Sequence, residues 1–233
     1  MSEPPTIAPF APERTRTQYV CDFDGTVALA DVGNRFFRRF TRDPVAWAAI
    51  IDEWFAGTLG GREVLARECA LVDVDEESLA TFVGEHGLDP AFAPFVAAAR
   101  AAGDEVSIAS DGLLLYIRPL LAAHGLADVV ARSNDARFVD RRLEPAFGTP
   151  PGEGCGACGT CKGAILGSLA SGGARIVFVG DGLSDRCAAP RADVVYAKDD
   201  LMEFCVARGI AARPFTTFED VARGEGLVLP ELR

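Results

Sequence analysis

The stretch that decides the fold runs from Tyr19 to Asp31 and reads YVCDFDGTVALAD. A short apolar run ends in two acids, Asp22 and Asp24, and a glycine follows directly. Side chains two residues apart on an extended chain point to the same face, so the two carboxylates repel each other unless a positive group lies between them. The stretch therefore predicts a buried strand that ends in a site containing a positive group.

The composition is that of a globular protein with one domain and an insert, or with two small domains. The chain has 233 residues, of which 49% are hydrophobic and 24% are charged. Lys and Arg total 23 against 34 Asp and Glu, which gives a net charge of -11. Because there is also no long basic run, we expect no nucleic-acid partner.

The N-terminus and the cysteines predict a cytoplasmic protein. Residues 1–17 are proline-rich with mixed charge, lack the pattern of a signal peptide, and are predicted to form an exposed lead-in. Since no apolar stretch approaches membrane-spanning length, we expect no membrane contact. The seven cysteines are odd in number and mostly scattered, which argues against a secreted disulfide framework. The sequence leaves the oligomeric state open.

Apolar runs recur along the chain, each followed by a turn and a helical pattern. Near-continuous Val, Ile, Phe and Ala indicate strands buried on both faces, as in a parallel sheet with helical crossovers. The runs are Tyr19 to Cys21, Glu105 to Ser110, Asp128 to Ser133, Ala174 to Gly182 and Ala192 to Ala197. A more alternating segment, Arg137 to Phe147, predicts a hairpin that projects from the sheet.

A helical segment interrupts this rhythm. The first two runs are separated by about eighty residues, far more than a normal strand-to-helix connection. We predict a helical cap over residues 32–90, and a core domain made of residues 18–31 and 91–233. Four aromatic side chains at helical spacing are expected to form the core of the cap rather than to contact a ligand. They are Phe36, Phe37, Trp47 and Trp54.

Acids and a hydroxyl follow the strands at the edge where parallel sheets bind ligands. They are Asp22 and Asp24 after the first run, Ser110, Asp111 and Gly112 at the second, and Asp181 with Asp185 after the fourth. Such a cluster needs a cation, and oxygen ligands favour Mg²⁺, which also binds phosphate. A carboxylate beside that ion can attack phosphorus, and a second one can protonate the leaving group. Lys162, at the start of a helical stretch, would stabilise the transferred charge.

Four segments in this order resemble the motifs of the haloacid dehalogenase superfamily of phosphatases. They are DFDGT, SDG, the helix-opening Lys162 and GDGLSD. The resemblance implies an α/β fold with a Rossmann-like three-layer core, a parallel sheet and a small inserted helical cap. The position of the helical segment is similar to the cap of the phosphoserine phosphatase-like branch.

The resemblance also implies a role for each residue. Asp22 would be the nucleophile that forms an aspartyl-phosphate, Asp24 the general acid and base, and Lys162 the stabiliser of the phosphoryl charge. The implied substrate-binding residues are Thr26, Asp31, Ser110, Asp111 and Gly112. The implied Mg²⁺ ligands are Asp22, Asp24, Asp181 and Asp185, with Asp24 contributing its carbonyl oxygen. Asp31 is a candidate for specificity and equally for a helix cap.

The flanks of the motifs resemble the phosphatases of methionine salvage, which act on 2-hydroxy-3-keto-5-methylthiopentenyl 1-phosphate. The flanks are CDFDGTV, SDGLLLYIRPLL and CGTCK. The partner implied is a small phosphorylated metabolite. Phosphoserine phosphatase is an alternative, although Asp31 and Asp111 depart from the Glu and the second glycine of those relatives. A phosphotransferase or phosphomutase, and a non-catalytic binding protein on the same fold, are further alternatives.

A local group of cysteines stays open at this point. The segment CGACGTCK contains Cys155, Cys158 and Cys161. The three thiols could hold zinc if Cys187, Cys205 or a carboxylate completed the set, a pair of them could be redox active, or all could be free. The two histidines, His86 and His124, each precede a glycine near a helix end, and we expect neither to be catalytic.

Overall fold

The structure, a computed structural model, describes residues 16–230. Of the predicted lead-in, residues 1–15 lie outside the described residues. The first strand, β1 (Thr17–Cys21), begins two residues before the predicted Tyr19, and Thr17 is already buried. Its N–H is satisfied by the Oδ1 of Asp104, 2.9 Å away, which explains why a polar residue can open a buried strand.

The described residues form a seven-stranded sheet in the order β4-β3-β2-β1-β5-β6-β7. Its strands are β1, β2 (Glu105–Leu113), β3 (Val130–Val139), β4 (Arg142–Ala146), β5 (Arg175–Gly180), β6 (Val194–Ala197) and β7 (Ala212–Pro214). All neighbours pair in parallel except β3 and β4, which form the predicted projecting hairpin. The short β7 at the edge was missed because three residues carry no readable alternation.

Helices cover both faces of the sheet, which confirms the predicted three-layer α/β class. They are α1 (Val32–Phe40), α2 (Pro44–Phe55), α3 (Gly61–Leu71), α4 (Glu76–Gly84), α5 (Phe92–Ala101), α6 (Leu114–Ala123), α7 (Lys162–Ala170), α8 (Asp199–Arg208) and α9 (Phe218–Gly224). Alternate residues of β1 enter different apolar clusters, Tyr19 and Cys21 on one face and Val20 on the other. No helix of the described part is long and apolar enough to cross a membrane.

Helices α1 to α4 form the predicted helical insert. Aspartates cap three of them: Asp31 accepts from Asn34 N at 2.7 Å, Asp43 caps α2 ahead of Pro44, and Asp75 caps α4. The insert shares one apolar cluster with the sheet, in which Phe36 and Tyr116 are both fully buried. The division into a core and a cap domain at residues 31 and 90 stays a prediction.

The chain enters and leaves the insert side by side. Ala28 and Leu88 form an isolated antiparallel bridge, and Asp89 N donates to the carbonyl of Val27 at 2.8 Å. On the far side, Arg141 at the tip of the β3–β4 hairpin pairs with Asp73 and, at 2.6 Å, with Asp75. The insert is thus held at its base by backbone pairing and at its flank by the hairpin, above the carboxyl ends of β1 and β2.

We predict that the Asp89 side chain stabilises the fold by linking two backbone segments, and that its removal lowers stability. Its side chain is 4% exposed and accepts hydrogen bonds from Ala91 N at 2.8 Å and from Phe218 N at 2.9 Å, which joins α5 to α9. Asp89→Ala leaves two buried N–H groups unpaired and should lower the free energy of unfolding by about 3 kcal/mol in urea titrations. The exposed Asp52→Ala should change it by less than about 0.5 kcal/mol. Equal stability of the two variants would contradict this role.

Candidate active site

Asp22 lies at the carboxyl end of β1, where its N–H donates to the carbonyl of Val179 at 2.8 Å. Its Oδ1 accepts from Phe23 N at 2.7 Å and lies 2.6 Å from the Nζ of Lys162. Burial and the charge of Asp185 raise the pKa of Asp22, while Lys162 opposes that shift. Asp22 is therefore held through Oδ1, and its ionised form depends on the positive charge of Lys162.

Lys162 is that neighbour, at the first position of α7 and only 1% exposed. Its Nζ lies 2.5 Å from Asp185 Oδ1 and donates to Ser184 Oγ at 2.9 Å. Burial alone would lower the pKa of Lys162, but Asp185 and Asp22 outweigh it and raise the pKa above its ordinary value. The raised pKa keeps the ammonium charged at neutral pH, between two carboxylates that follow different strands.

Three acids form a site that suits a divalent cation. Oxygens of Asp22, Asp181 and Asp185 lie within 4.8 Å of one another. Three carboxylates against the single ammonium of Lys162 leave two negative charges, and oxygen-only donors fit a hard ion such as Mg²⁺. Burial and Asp185 raise the pKa of Asp181 to about 6, which reflects the same uncompensated charge. Three of the four predicted metal residues are therefore brought together, and the contribution of the Asp24 carbonyl stays a prediction.

The three acids differ in how their oxygens are occupied by hydrogen bonds within the protein. Asp185 uses both oxygens within the protein, because Oδ2 accepts from the N–H groups of Asp181 and Gly182, each at 3.0 Å. Thr26, predicted to bind substrate, is buried and donates its hydroxyl to Asp181 Oδ1 at 3.0 Å. Gly25 has φ +73°, and a Cβ there would lie 2.3 Å from Asp181 Oδ2, so only glycine allows this close approach.

Asp24 lies two residues from Asp22 and is held by two donors. Its Oδ1 accepts from Gly33 N and its Oδ2 from the hydroxyl of Tyr116, each at 3.0 Å. Burial and the charge of Asp31 raise the pKa of Asp24 to about 7, so a proton is available on this carboxyl near neutrality. Tyr116 was not predicted, because nothing local in its helix distinguishes it from a core aromatic.

The motif at the end of β2 faces the same space. Ser110 is buried, and its Oγ accepts from Gly112 N at 3.0 Å. Asp111 Oδ1 accepts from Thr160 N at 2.8 Å and Asn134 Nδ2 at 3.0 Å, so its side chain is occupied in holding the loop before α7. Ser110, Asp111 and Gly112 all line the cleft described next, and their predicted binding of a phosphoryl group stays a prediction.

A cleft of about 380 Å³ lies between these polar groups and the helical insert. Asp31 caps α1, as predicted, and it also lines the cleft, while its role in specificity stays a prediction. The insert contributes an apolar wall of Phe37, Ile51, Trp54, Phe55, Val64 and Leu65. Phe37 belongs to the buried apolar cluster, as expected, and both Phe37 and Trp54 also line this cleft, so the expectation that they do not contact a ligand stays a prediction.

A family model described as haloacid dehalogenase-like hydrolase matches residues 19–190. The chain belongs to this family. The curated relatives include a 2-hydroxy-3-keto-5-methylthiopentenyl-1-phosphate phosphatase of Exiguobacterium sp., 30% identical over 213 residues that cover 88% of this chain and 95% of the relative. The phosphatase of the same name from Brevibacillus brevis is 29% identical over 206 residues, 87% of this chain and 92% of the relative.

Among solved structures, a substrate-bound phosphoserine phosphatase complex superposes with a TM-score of 0.69 at 17% identity. The match covers 91% of this chain and 99% of that one, which shows that the fold of this hydrolase is the one predicted. The curated relatives are phosphatases, and the predicted enzyme class, a phosphatase of the haloacid dehalogenase family, is confirmed.

Sequence reasoning about this hydrolase missed Glu68, an acid that lines the cleft from α3 and is only 7% exposed. Trp47 Nε1 donates to its Oε1 at 2.9 Å. Burial, with a smaller contribution from the charge of Asp31, raises the pKa of Glu68 to about 8. An acid on the same helical face as Val64 and Leu65 was the signal that could have identified it.

We predict that Glu68 makes the stability of the enzyme fall as the pH rises. Folding raises the pKa of this carboxyl from 4.5 to about 8, so between these values the folded state holds a proton that the unfolded chain has lost. The free energy of unfolding therefore decreases as the pH rises through that window. Outside the window the contribution of Glu68 to stability does not change with pH. Glu68→Gln retains an acceptor for Trp47 but cannot ionise.

Denaturant titrations from pH 4 to pH 9 test this expectation. The stability of Glu68→Gln relative to wild type should rise by on the order of 3 kcal/mol across the window. The exposed Glu77→Gln on α4 is the control and should follow wild type at every pH. A pH-independent difference between Glu68→Gln and wild type would show that the carboxyl is ionised in the folded protein.

Proposed function

We propose that this protein hydrolyses a small phosphomonoester with Mg²⁺ through an aspartyl-phosphate, and that its substrate is 2-hydroxy-3-keto-5-methylthiopentenyl 1-phosphate. The observation that carries the reaction is the buried Asp22–Lys162 pair, with Asp24 held beside it by Gly33 and Tyr116. The names of the curated relatives and the apolar wall of the cleft support the substrate.

The proposed first step is transfer of the phosphoryl group to Asp22. Lys162 and Phe23 N occupy Oδ1, so Oδ2 is the oxygen that forms the bond to phosphorus. The bond from phosphorus to the substrate oxygen breaks, and Asp24 gives that oxygen its proton. Ser110 and the backbone of Asp111 and Gly112 hold the phosphoryl oxygens.

The second step releases phosphate. Asp24, now ionised and still oriented by Tyr116, accepts a proton from water, and the water oxygen bonds to phosphorus as the bond to Asp22 breaks. Both carboxylates return to their starting states. Asp22, Asp181, Asp185 and the carbonyl of Asp24 would hold Mg²⁺, which, when bound, neutralises charge on the phosphoryl oxygens.

The charge of the cleft favours an uncharged apolar substrate tail over phosphoserine. Among the described residues that line the cleft, none is Lys, Arg or His. The carboxylate of phosphoserine would therefore enter a space that offers no cationic side chain and that is also lined by Asp31, which is costly. An apolar tail would instead contact Trp54, Phe55 and the other apolar side chains of the insert.

We predict metal-dependent turnover that requires Asp22. Phosphate release would be measured with the methylthiopentenyl ester, phosphoserine and p-nitrophenyl phosphate, with Mg²⁺ or with chelator. Asp22→Asn should lower kcat by at least about 10³-fold, because an amide is not a nucleophile, whereas the exposed Asp52→Asn should match wild type. Higher kcat/KM for phosphoserine would overturn the proposed substrate, and turnover only with an added acceptor would indicate a phosphotransferase.

We predict that Trp54 contributes to binding of the substrate tail. Trp54→Ala removes part of the apolar wall and should raise KM for the methylthiopentenyl ester by about 10-fold, since losing roughly 1–2 kcal/mol of apolar contact has that effect. Inhibition by inorganic phosphate, which has no tail, should not change. The exposed Val45→Ala on α2 is the control. Equal losses for the ester and for phosphate would indicate a damaged fold instead.

A further inference from the structure

One carboxyl group interrupts the apolar wall of the cleft. Glu68 lines the cleft from α3, where Val64 and Leu65 precede it on the same helical face. The first residue of this face, Gly61, lies against the polar end of the cleft, because a Cβ there would lie 2.3 Å from Asp111 Oδ2. Seven residues of helix rise about 10 Å, so Glu68 lies beside the part of the cleft that would receive the tail of a substrate.

The two carboxyl oxygens of Glu68 have different surroundings. Oε1 accepts a hydrogen bond from Trp47 Nε1 at 2.9 Å. Among residues 16–230 no group forms a hydrogen bond with Oε2, yet this oxygen is not sealed from solvent. Because the side chain lines the cleft and is only 7% exposed, Oε2 is the oxygen that opens into the cleft. One oxygen of a nearly buried acid is therefore left for a partner from outside the protein.

Trp47 also determines which oxygen of Glu68 carries the proton of the neutral acid. The indole N–H is a donor only, so Oε1 serves as the carbonyl oxygen and the proton lies on Oε2. Burial raises the pKa of Glu68 to about 8, and the charge of Asp31 makes a smaller contribution to that shift. At neutral pH the neutral form is favoured, and Oε2 then acts as a hydrogen-bond donor in the wall of the cleft.

We propose that Glu68 is a specificity residue, which donates a hydrogen bond from Oε2 to a carbonyl oxygen in the uncharged tail of the substrate. This inference rests on the proposed phosphatase function and narrows its substrates to phosphomonoesters whose tail contains such an acceptor. A carbonyl oxygen suits the site because it accepts a hydrogen bond without bringing a charge into a space that Val64, Leu65 and Trp54 make apolar. The keto group of the methylthiopentenyl ester is an acceptor of this kind.

Displacement of water gives this hydrogen bond its discriminating effect. In the open cleft, water can pair with Oε2 of Glu68, and a bound tail displaces that water. A tail without an acceptor would leave the donor unpaired beside apolar side chains, which costs free energy, whereas a carbonyl oxygen replaces the lost partner. The contact with Trp47 holds the carboxyl in one orientation for this purpose.

The preference for a carbonyl group tests this role. kcat/KM would be compared for the keto ester and for an analogue with a methylene in place of the keto group. Glu68→Leu should lower the preference for the keto ester by about 10-fold, because it removes the donor. Glu68→Gln should restore most of the preference, since its amide can accept from Trp47 and donate to the carbonyl. If Glu68 only stabilised the insert, Glu68→Leu would affect both esters equally.

A binding measurement separates this inference from the proposed reaction. The phosphonate analogues of the two esters are not hydrolysed, and calorimetry with wild-type protein should show the keto compound binding about 10-fold more tightly. An isotope-labelled carbonyl should absorb at lower frequency when bound to wild type than when bound to Glu68→Leu. The exposed Glu77→Leu on α4 is the matched control and should keep the preference. The expected preference in binding without hydrolysis of the ester would support this role and overturn the proposed reaction.

Four results would overturn the role of Glu68. They are equal affinity of wild type for the two phosphonates, no binding of either, a loss of preference in Glu68→Gln as large as in Glu68→Leu, or tighter binding of aminoethylphosphonate that is lost in Glu68→Gln. The last result would show an ionised carboxylate that binds a cationic tail, because glutamine keeps the hydrogen-bonding groups but cannot carry the charge.

Discussion

The buried ammonium of Lys162 between Asp22 and Asp185 is the interaction on which the rest of the structure depends. Two carboxylates from neighbouring strand ends can lie in a space closed to water only because this charge lies between them. Removing the lysine would leave uncompensated buried charge, at a cost of several kcal/mol. The parallel sheet puts the acids at one edge, and the start of α7 brings the cation to them.

The helical insert converts this polar edge into a selective cleft. Its apolar wall faces the acids, and Gly112 and Gly33 allow Tyr116 to come between the insert and Asp24. A Cβ on Gly112 would lie 2.0 Å from the Tyr116 hydroxyl, so the orientation of Asp24 depends on that glycine. The loop before α7 holds Asp111 through Thr160 N and contacts the insert through the carbonyl of Ala157.

Charge balance links the chemistry to the choice of substrate. The negative charges of Asp22, Asp181 and Asp185 outnumber the single positive charge of Lys162, so this end of the cleft suits a divalent cation. The described residues that line the cleft include no Lys, Arg or His. A substrate whose only charge is its phosphate fits this distribution, because every further carboxylate would be desolvated without a partner. Burial raises the pKa of Glu68 to about 8, which favours an uncharged carboxyl in this wall at neutral pH.

The sequence by itself determined the class of fold, the approximate location of the principal strands along the chain and the placement of Asp22, Asp24, Asp111 and Asp181 at strand ends. These follow from local patterns, since apolar runs that end in acids and glycine specify both a buried strand and what lies at its carboxyl end. Only the tertiary structure decided that Tyr116 orients Asp24 and that Glu68 is buried in the cleft. Contacts between residues far apart in the chain depend on how helices and loops pack over the sheet, and no periodicity within one segment encodes that packing.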